Sequence, residues 1–304
     1  MKCLKILLVL LLCMQLTGVN AEKVFAGLSD DQFSLFLDEG AEWTESSYRS
    51  PNLAVQIKPQ RVCDSDVYVA DIHVRSAESL RRAFGGDAWN TASEKLEALA
   101  KRSGAVVALT GDSGHHFKAG WVVGNGHLWR ERGNNMRDLC VLYTDGTMQI
   151  HYARPDHALI RQQTQQGLIW QTWVFGPALL DEDGQALTDF SASNVEPKNP
   201  RAVIGYYEPG HYCLVQVDGR GTFSALEEGR LNEGMTLHEL AQFMESLGCS
   251  AAYNLDGGQS AAMWFAGRVI STPYHNGRAV GDAIVLCEPV EKTAWNAEDF
   301  LVGE

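Results

Sequence analysis

Apolar residues along this chain fall mainly in short alternating or β-branched runs separated by turn residues, a pattern typical of a strand-rich protein. Residues 67–74 form the clearest alternating run. Asn125-Gly126 and Asp145-Gly146 predict the turns of two hairpins, because such pairs readily adopt the positive φ angles of tight turns. Other strands are predicted at 105–109, 121–123, 128–130, 139–143, 147–152, 170–174, 201–206, 212–217, 249–253, 263–270 and 282–286.

Two longer stretches have the spacing of amphipathic helices. Residues 91–102 follow Asn90, a residue type that caps helices. Residues 236–247 begin at Thr236, and Glu239 three positions later completes a capping box. Many strands with few helices predict an α+β fold, in which a strand-rich mixed sheet and a few packed helices form a single large domain.

The first 21 residues have the pattern of a secretory signal peptide. Lys2 and Lys5 precede an apolar run of 11 residues at 6–16, and Val19-Asn20-Ala21 resembles a cleavage site. The run is too short to span a bilayer, which takes about 20 residues. We therefore expect a secreted or extracytoplasmic protein without stable membrane insertion. The predicted segments are a signal peptide at 1–21, an N-terminal extension or opening strand at 22–60, a domain at 61–290 and a C-terminal tail at 291–304.

Acidic residues outnumber basic ones. The 304-residue chain has 38 Asp and Glu against 25 Lys and Arg, a formal net charge of −13. Loss of residues 1–21 would remove two lysines and no acid, which makes the charge −15. This charge argues against nucleic acids and anionic membranes as partners, whereas a local group of arginines can still bind an anionic substrate.

Cysteine spacing shows no zinc motif. Five cysteines follow residue 21, and an odd number leaves at least one unpaired or paired between molecules. One or two disulfides are possible, and each cysteine can equally be a small buried hydrophobic residue.

Four polar clusters follow predicted strands, where folds commonly place functional residues. In the most informative one, Asp256 is followed by Gly257, Gly258, Gln259 and Ser260. Glycines let a backbone approach a ligand closely. Arginine binds phosphate or carboxylate through a planar fork of donors. The remaining clusters lie at 110–116, 199–201 and 217–220, with Arg278 and Asp282 downstream.

Each cluster also has a simpler interpretation, because polar residues at strand ends often only form turns. His115 and His116 are adjacent, so on a strand they would point to opposite faces and not share an ion. Ser260 is not in a G-x-S-x-G motif, which leaves a hydrolase nucleophile elbow unsupported.

In their order along the chain, these motifs resemble the phosphodiester glycosidase family over residues 68–286. The resemblance is carried by residues 68–74, 108–112, 120–130, 138–148, 175–177, 199–201, 217–220, 234–237, 254–258 and 277–278. The chain departs from the family pattern around the expected site, at Thr110, Ser113, Gly114, Ala202 and Gln259, and in a longer segment at 221–233. These departures favour an altered substrate or reduced activity.

The resemblance implies hydrolysis of a sugar 1-phosphodiester on its glycosidic side. A phosphomonoester is a good leaving group, so its departure needs charge neutralisation more than protonation, and Arg201 and Arg220 are candidates for that role. Asp256 and Asp218 are candidates for the base that activates water, or for a nucleophile.

Further residues are expected to bind the substrate, with the N–H groups of the two glycines cradling the phosphate. They are Asp112, Gly257, Gly258, Ser260, Arg278 and Asp282. No cofactor is predicted, and a divalent metal is possible. Two alternatives remain: a metal-dependent phosphodiesterase that cleaves P–O with Asp112, Asp256 and Asp282 as ligands, and a glycan-binding protein without catalysis.

Overall fold

The computed structural model describes residues 28–112, 120–132, 137–153 and 155–289. The predicted signal peptide at 1–21, the tail at 291–304 and the His115-His116 pair lie outside these residues. The described chain is a strand-rich α+β domain, as the alternating pattern predicts. None of its described helices is both long and apolar enough to cross a membrane.

Nineteen strands and four α-helices are present in the described residues. The strands are β1 (Glu42–Trp43), β2 (Ser47–Arg49), β3 (Leu53–Val62), β4 (Ser65–Val74), β5 (Leu80–Phe84), β6 (Val107–Thr110), β7 (Val122–Gly124), β8 (His127–Arg130), β9 (Leu139–Tyr143), β10 (Met148–His151), β11 (Ile169–Trp173), β12 (Arg201–Glu208), β13 (His211–Val217), β14 (Thr222–Phe223), β15 (Leu231–Asn232), β16 (Ala251–Asn254), β17 (Met263–Phe265), β18 (Arg268–Val269) and β19 (Asp282–Leu286). The helices are α1 (Asp30–Phe33), α2 (Leu96–Arg102), α3 (His157–Gln165) and α4 (Leu237–Ser246).

Two antiparallel sheets dominate the described part of the chain. The larger has seven strands in the order β1-β2-β3-β4-β13-β12-β16, and the smaller has five in the order β18-β17-β6-β19-β5. Their facing sides form the main core, to which Leu214 on β13 and Ile284 on β19 contribute. The next residues, Val215 and Val285, point away from this core, because side chains alternate along a strand.

Helices cover the outer faces of both sheets. Leu237, Leu240 and Met244 of α4 pack in the cluster that contains Val215. Leu96 and Leu99 of α2 pack in the cluster that contains Val285. The result is a layered sandwich of helix, sheet, sheet and helix, with three further small sheets among the described residues.

The hairpins and the second helix agree with the sequence. Strands β7 and β8 flank Asn125 and Gly126, which have φ angles of 55° and 74°. The Thr236 side chain accepts from the Glu239 N–H at 3.1 Å, and a Glu239 carboxylate oxygen accepts from the Thr236 N–H at 2.8 Å. The predicted capping box is therefore confirmed.

The predicted start of the first helix is wrong. Helix α2 begins at Leu96 rather than near residue 91. Glu94 is instead paired with Val280 through two backbone hydrogen bonds of 2.8 and 3.0 Å. Asn90 has a φ of 61°, so it lies in a turn. Tertiary pairing with a distant segment has overridden the local helical spacing.

Part of the segment predicted as an extension belongs to the large sheet. Strand β3 pairs with β4 along ten consecutive residues, from Leu53 opposite Val74 to Val62 opposite Ser65. The sheet thus crosses the boundary predicted at residue 60. The cysteines at positions 63, 140, 213, 249 and 287, all within the described residues, are free thiols.

Candidate active site

Five strand ends meet at one edge of the sandwich. In the large sheet, β12 begins at Arg201 beside the ends of β13 and β16, because these neighbours run antiparallel. In the small sheet, β6 ends beside the start of β19. The Asp256 N–H donates to the Gly111 carbonyl oxygen at 3.0 Å, which joins the two sheets at this edge. The polar clusters that follow these strands are therefore neighbours in space.

The turn after β16 is tightly constrained. A Cβ on Gly257 would lie 2.6 Å from the Pro200 carbonyl oxygen, so a larger residue does not fit. Gly258 has a φ of 61°, and its N–H donates to the same oxygen at 2.9 Å. This N–H is already paired, so the predicted phosphate cradle loses one of its two donors.

Asp256, Arg278 and Ser260 form one connected group. Arg278 Nη2 lies 3.2 Å from Asp256 Oδ2, and Arg278 Nε donates to Ser260 Oγ at 2.6 Å. The Asp256 side chain is 11% exposed and that of Arg278 is 47% exposed. Ser260 thus fixes the guanidinium, and the guanidinium holds the carboxylate at the cavity wall.

A small cavity of about 260 Å³ opens beside this group. Among the described residues, three arginines and one carboxylate line it, so the cavity favours an anion. Its lining consists of Phe175, Val195, Asn199, Arg201, Arg220, Asp256, Gly257, Gly258, Gln259 and Arg278.

Arg201 and Arg220 have different roles in this cavity. Arg201 is buried, and its Nε and Nη2 donate to the carbonyl oxygens of Met235 and Pro197 at 2.8 and 2.7 Å. Burial lowers the pKa of Arg201 to about 10, which leaves it charged at neutral pH. Arg220 is exposed, donates from Nε to Asn199 Oδ1 at 3.0 Å and lies 5.4 Å from the centroid of the Tyr274 ring. Arg201 therefore holds its surrounding loops, whereas Arg220 can reach a ligand.

A second cavity, of about 750 Å³, shares a wall with the small one. Phe175, Val195, Asp256 and Arg278 line both. The rest of the large cavity combines apolar side chains such as Phe190 with a few polar ones, which is typical of a small-molecule site.

Asp218 is not brought into this site. It lines neither cavity as the described residues define them. Its Oδ2 accepts from the Thr272 N–H at 2.7 Å, and its Oδ1 accepts from Gln216 Nε2 at 3.3 Å. Burial raises the pKa of Asp218 to about 6. Asp218 thus holds the loop before residue 274 in place and does not face the cavities.

Asp112 and Asp282 lie under the site in a buried cluster with Arg82. Arg82 Nε donates to Asp282 Oδ2, and Arg82 Nη2 lies 3.4 Å from Asp112 Oδ2. The Val174 N–H also donates to Asp112 Oδ2, at 2.9 Å. Asp112 Oδ1 is buried and has no hydrogen-bond partner in the part of the chain that the structure describes. Neither aspartate lines the large or the small cavity as the described residues define them, so neither side chain faces these cavities.

Sequence reasoning missed Arg82 because it missed strand β5. The strand could have been recognised from Leu80 and Phe84, since alternation along a strand places Arg82 between these two apolar residues on one face. A charged residue in such a position predicts a buried partner, since unpaired buried charges are costly.

The acidic residues proposed as metal ligands do not converge. Asp112 and Asp282 share the Arg82 guanidinium, and this cation occupies the place of an ion between them. Among the described residues, no group containing Asp112, Asp256 and Asp282 has its ligand atoms within 4.8 Å of one another. The geometry thus does not favour the metal-dependent alternative.

The buried Asp282 carboxyl should make the stability of the fold depend on pH. Burial raises the pKa of this carboxyl to about 7, despite the neighbouring Arg82. An acid with a raised pKa in the folded state stabilises the fold at low pH, and that contribution is lost as the pH rises from about 4 to about 7. We therefore expect the destabilisation caused by Asp282→Asn to shrink over this range, by at most about 1.4 kcal/mol per pH unit. Urea denaturation of the wild type and of Asp282→Asn from pH 4 to 8 measures the difference between their free energies of unfolding. A difference that stays constant with pH would contradict the prediction.

Comparison with known proteins agrees with this architecture. The sequence model of the family described as phosphodiester glycosidase matches residues 100–287. The chain belongs to the phosphodiester glycosidase family. The matched range contains all the candidate site residues named above except Arg82, which precedes it. The family resemblance read from the motifs is thus confirmed.

A curated protein of uncharacterized function is similar in sequence to this chain. The SPbeta prophage-derived uncharacterized protein YomE of Bacillus subtilis (strain 168) is 26% identical over 209 residues, which cover 66% of this chain and 30% of that protein. The chain therefore spans less than a third of the length of this curated relative.

Two solved structures share the fold. The catalytic domain of zebrafish N-acetylglucosamine-1-phosphodiester alpha-N-acetylglucosaminidase, auto-inhibited by its pro-peptide, has a TM-score of 0.61 at 22% identity and covers 79% of this chain and 85% of its own. A hypothetical protein from Synechocystis has a TM-score of 0.58 at 13% identity, and the match covers 78% of this chain and 62% of that protein. At these identities the likeness shows the fold alone.

Proposed function

We propose that this protein is a secreted hydrolase that cleaves a sugar 1-phosphodiester on the glycosidic side. One observation carries the proposal: Asp256 lies on the wall shared by a small cavity rich in arginine and a large cavity of mixed polarity. Family membership and the activity in the name of the zebrafish enzyme support it. The signal-like residues 1–21 support secretion.

The small cavity would hold the phosphodiester group. Arg220 and Arg278 present guanidinium groups whose planar donor forks match phosphate oxygens. The charge of buried Arg201 adds to the positive potential, although its Nε and Nη2 are already bonded to carbonyl oxygens. These charges would stabilise the phosphomonoester as it departs with the electrons of the broken bond.

The large cavity would hold the sugar. Its shared wall would bring the anomeric carbon next to Asp256, whose carboxylate would activate a water molecule or attack this carbon directly. Arg278 holds this carboxylate at 3.2 Å and also lines the phosphate cavity, so it would orient both reacting partners. Asp218, Asp112 and Asp282 would support the site from outside the cavities.

Hydrolysis in oxygen-18 water tests the position of the cleaved bond. We expect UDP-N-acetylglucosamine or a simple α-N-acetylglucosamine 1-phosphodiester to release sugar that carries the label, because water attacks carbon. The measurement is mass spectrometry of both products, with an incubation lacking enzyme as control. Label in the phosphate would overturn the proposal in favour of P–O cleavage. Binding of these compounds without turnover would instead favour the glycan-binding alternative.

A further inference from the structure

Two imidazoles and one carboxylate lie together on the large sheet, far from the candidate active site. Asp71 and His73 are two residues apart on β4, so their side chains point to the same face. His211, the first residue of β13, pairs directly with His73. Because β13 runs from His211 to Val217, about 20 Å separates this cluster from the strand ends that form the site.

The three side chains converge on one point. His211 Nε2 donates to Asp71 Oδ1 at 2.7 Å, and His73 Nε2 lies 4.0 Å from the same oxygen. The two imidazole rings stack with centroids 4.0 Å apart. One ligand atom from each residue lies within 4.8 Å of the others. The rings are close to parallel, at 17°, so an ion about 2.0–2.2 Å from each ligand atom would require the imidazoles to turn out of this stack.

His73 has one ring nitrogen without a hydrogen-bond partner among the described residues. This atom, Nδ1, is buried, although buried polar groups are normally paired. Burial and the neighbouring His211 lower the pKa of His73 to about 4. The ring is thus neutral at pH 7. An ion would bind the other ring nitrogen, Nε2, which lies 4.0 Å from Asp71 Oδ1, in the tautomer whose hydrogen is on Nδ1.

Lys58 occupies the remaining side of the carboxylate. Its Nζ lies 2.6 Å from Asp71 Oδ2, and its side chain is 58% exposed. A long, exposed lysine can turn into solvent at little cost, since surface ion pairs contribute about 1 kcal/mol or less. Lys58 is therefore a weak competitor for the carboxylate and does not block it.

We propose that Asp71, His73 and His211 bind a divalent transition metal of the zinc class. Two imidazole nitrogens and one carboxylate oxygen suit zinc, whereas calcium and magnesium prefer oxygen ligands alone. The ion would link β4 to β13 and stabilise the fold, with its other coordination positions open to water. His211 would bind through Nε2 in the tautomer whose hydrogen is on Nδ1, in place of its present hydrogen bond to Asp71.

Zinc titration of the full chain tests this site after removal of metal with a chelator. We expect one zinc ion to bind per chain with a dissociation constant in the micromolar range or tighter, and to raise the Tm. His73→Ala and His211→Ala should each weaken binding at least tenfold. His127→Ala, which removes an exposed histidine on β8, is the matched control and should leave it unchanged.

Lys58→Met provides a test that does not depend on the folding of the histidine variants. Removal of the competing ammonium should tighten zinc binding several-fold, and magnesium should not bind in place of zinc. The proposal is overturned if the His73 and His211 variants bind zinc like the wild type. It is also overturned if Lys58→Met does not tighten binding, or if zinc is lost from a His115→Ala, His116→Ala double variant while the three proposed ligands remain.

Discussion

Replacement of Asp256 with asparagine is expected to lower kcat by about 10²–10⁴-fold, the usual loss when a positioned acid–base group is removed. The amide keeps the size of the carboxylate and one oxygen that can accept from Arg278, which lies 3.2 Å from Asp256 Oδ2. The cavity should therefore keep its shape, and KM should change little. Release of sugar from an α-N-acetylglucosamine 1-phosphodiester by purified wild type and variant measures the effect.

Asp189→Asn is the matched control for this experiment. Asp189 also lines the large cavity, but it is exposed, and its Oδ1 accepts from the Ser191 N–H at 2.9 Å. We expect less than a tenfold change in kcat for this variant. An Asp256→Asn protein that keeps its kcat, or an equal loss in both variants, would show that Asp256 does not carry the chemistry.

Replacement of Arg82 with methionine is expected to lower the free energy of unfolding by about 3–5 kcal/mol, since it leaves buried carboxyls without their cation. Arg82 contacts both Asp112 and Asp282, and its Nη1 donates to the Thr172 carbonyl oxygen at 2.7 Å. Loss of this residue thus affects three separate segments. Urea denaturation at pH 7 measures the change.

Arg81→Met is the control for this prediction. Arg81 is the neighbouring residue, is only half-buried, and donates from Nε to the Glu78 carbonyl oxygen at 2.9 Å. Its loss should cost about 1 kcal/mol or less. Adding Asp112→Asn and Asp282→Asn to the Arg82 variant should restore part of its stability, because the amides do not titrate and so do not have to take up protons to remain buried without the guanidinium. Equal effects of the Arg81 and Arg82 variants would contradict a role for the buried cluster.

This cluster also links stability to the site. Gly111 lies between Asp112 and the end of β6, and a Cβ there would lie 2.7 Å from Asp282 Oδ2. The Gly111 carbonyl oxygen accepts from the Asp256 N–H. A shift of Asp112 or Asp282 in the buried cluster would therefore move Gly111, which is hydrogen-bonded to the backbone of Asp256.

Local sequence determined much of the secondary structure. The hairpin at Asn125-Gly126 and the capping box of Thr236 and Glu239 are recognisable because all the interacting atoms come from residues close together in the chain. The ordered series of motifs was also sufficient to identify the family, which the match over residues 100–287 confirms.

Tertiary structure decided which polar residues face the cavities. Asp218 and Asp256 both follow strands and are equivalent candidates in the sequence, yet Asp256 lines the cavities whereas Asp218 holds the Thr272 backbone. Arg201 and Arg220 divide in the same way, into a buried residue bonded to carbonyl oxygens and an exposed one. The contact of Arg82 with Asp282 depends on the pairing of β5 with β19, which the local sequence does not predict. The physical reason is that exposure and hydrogen-bond partners depend on how distant strands pack, and residues far apart in the chain supply those contacts.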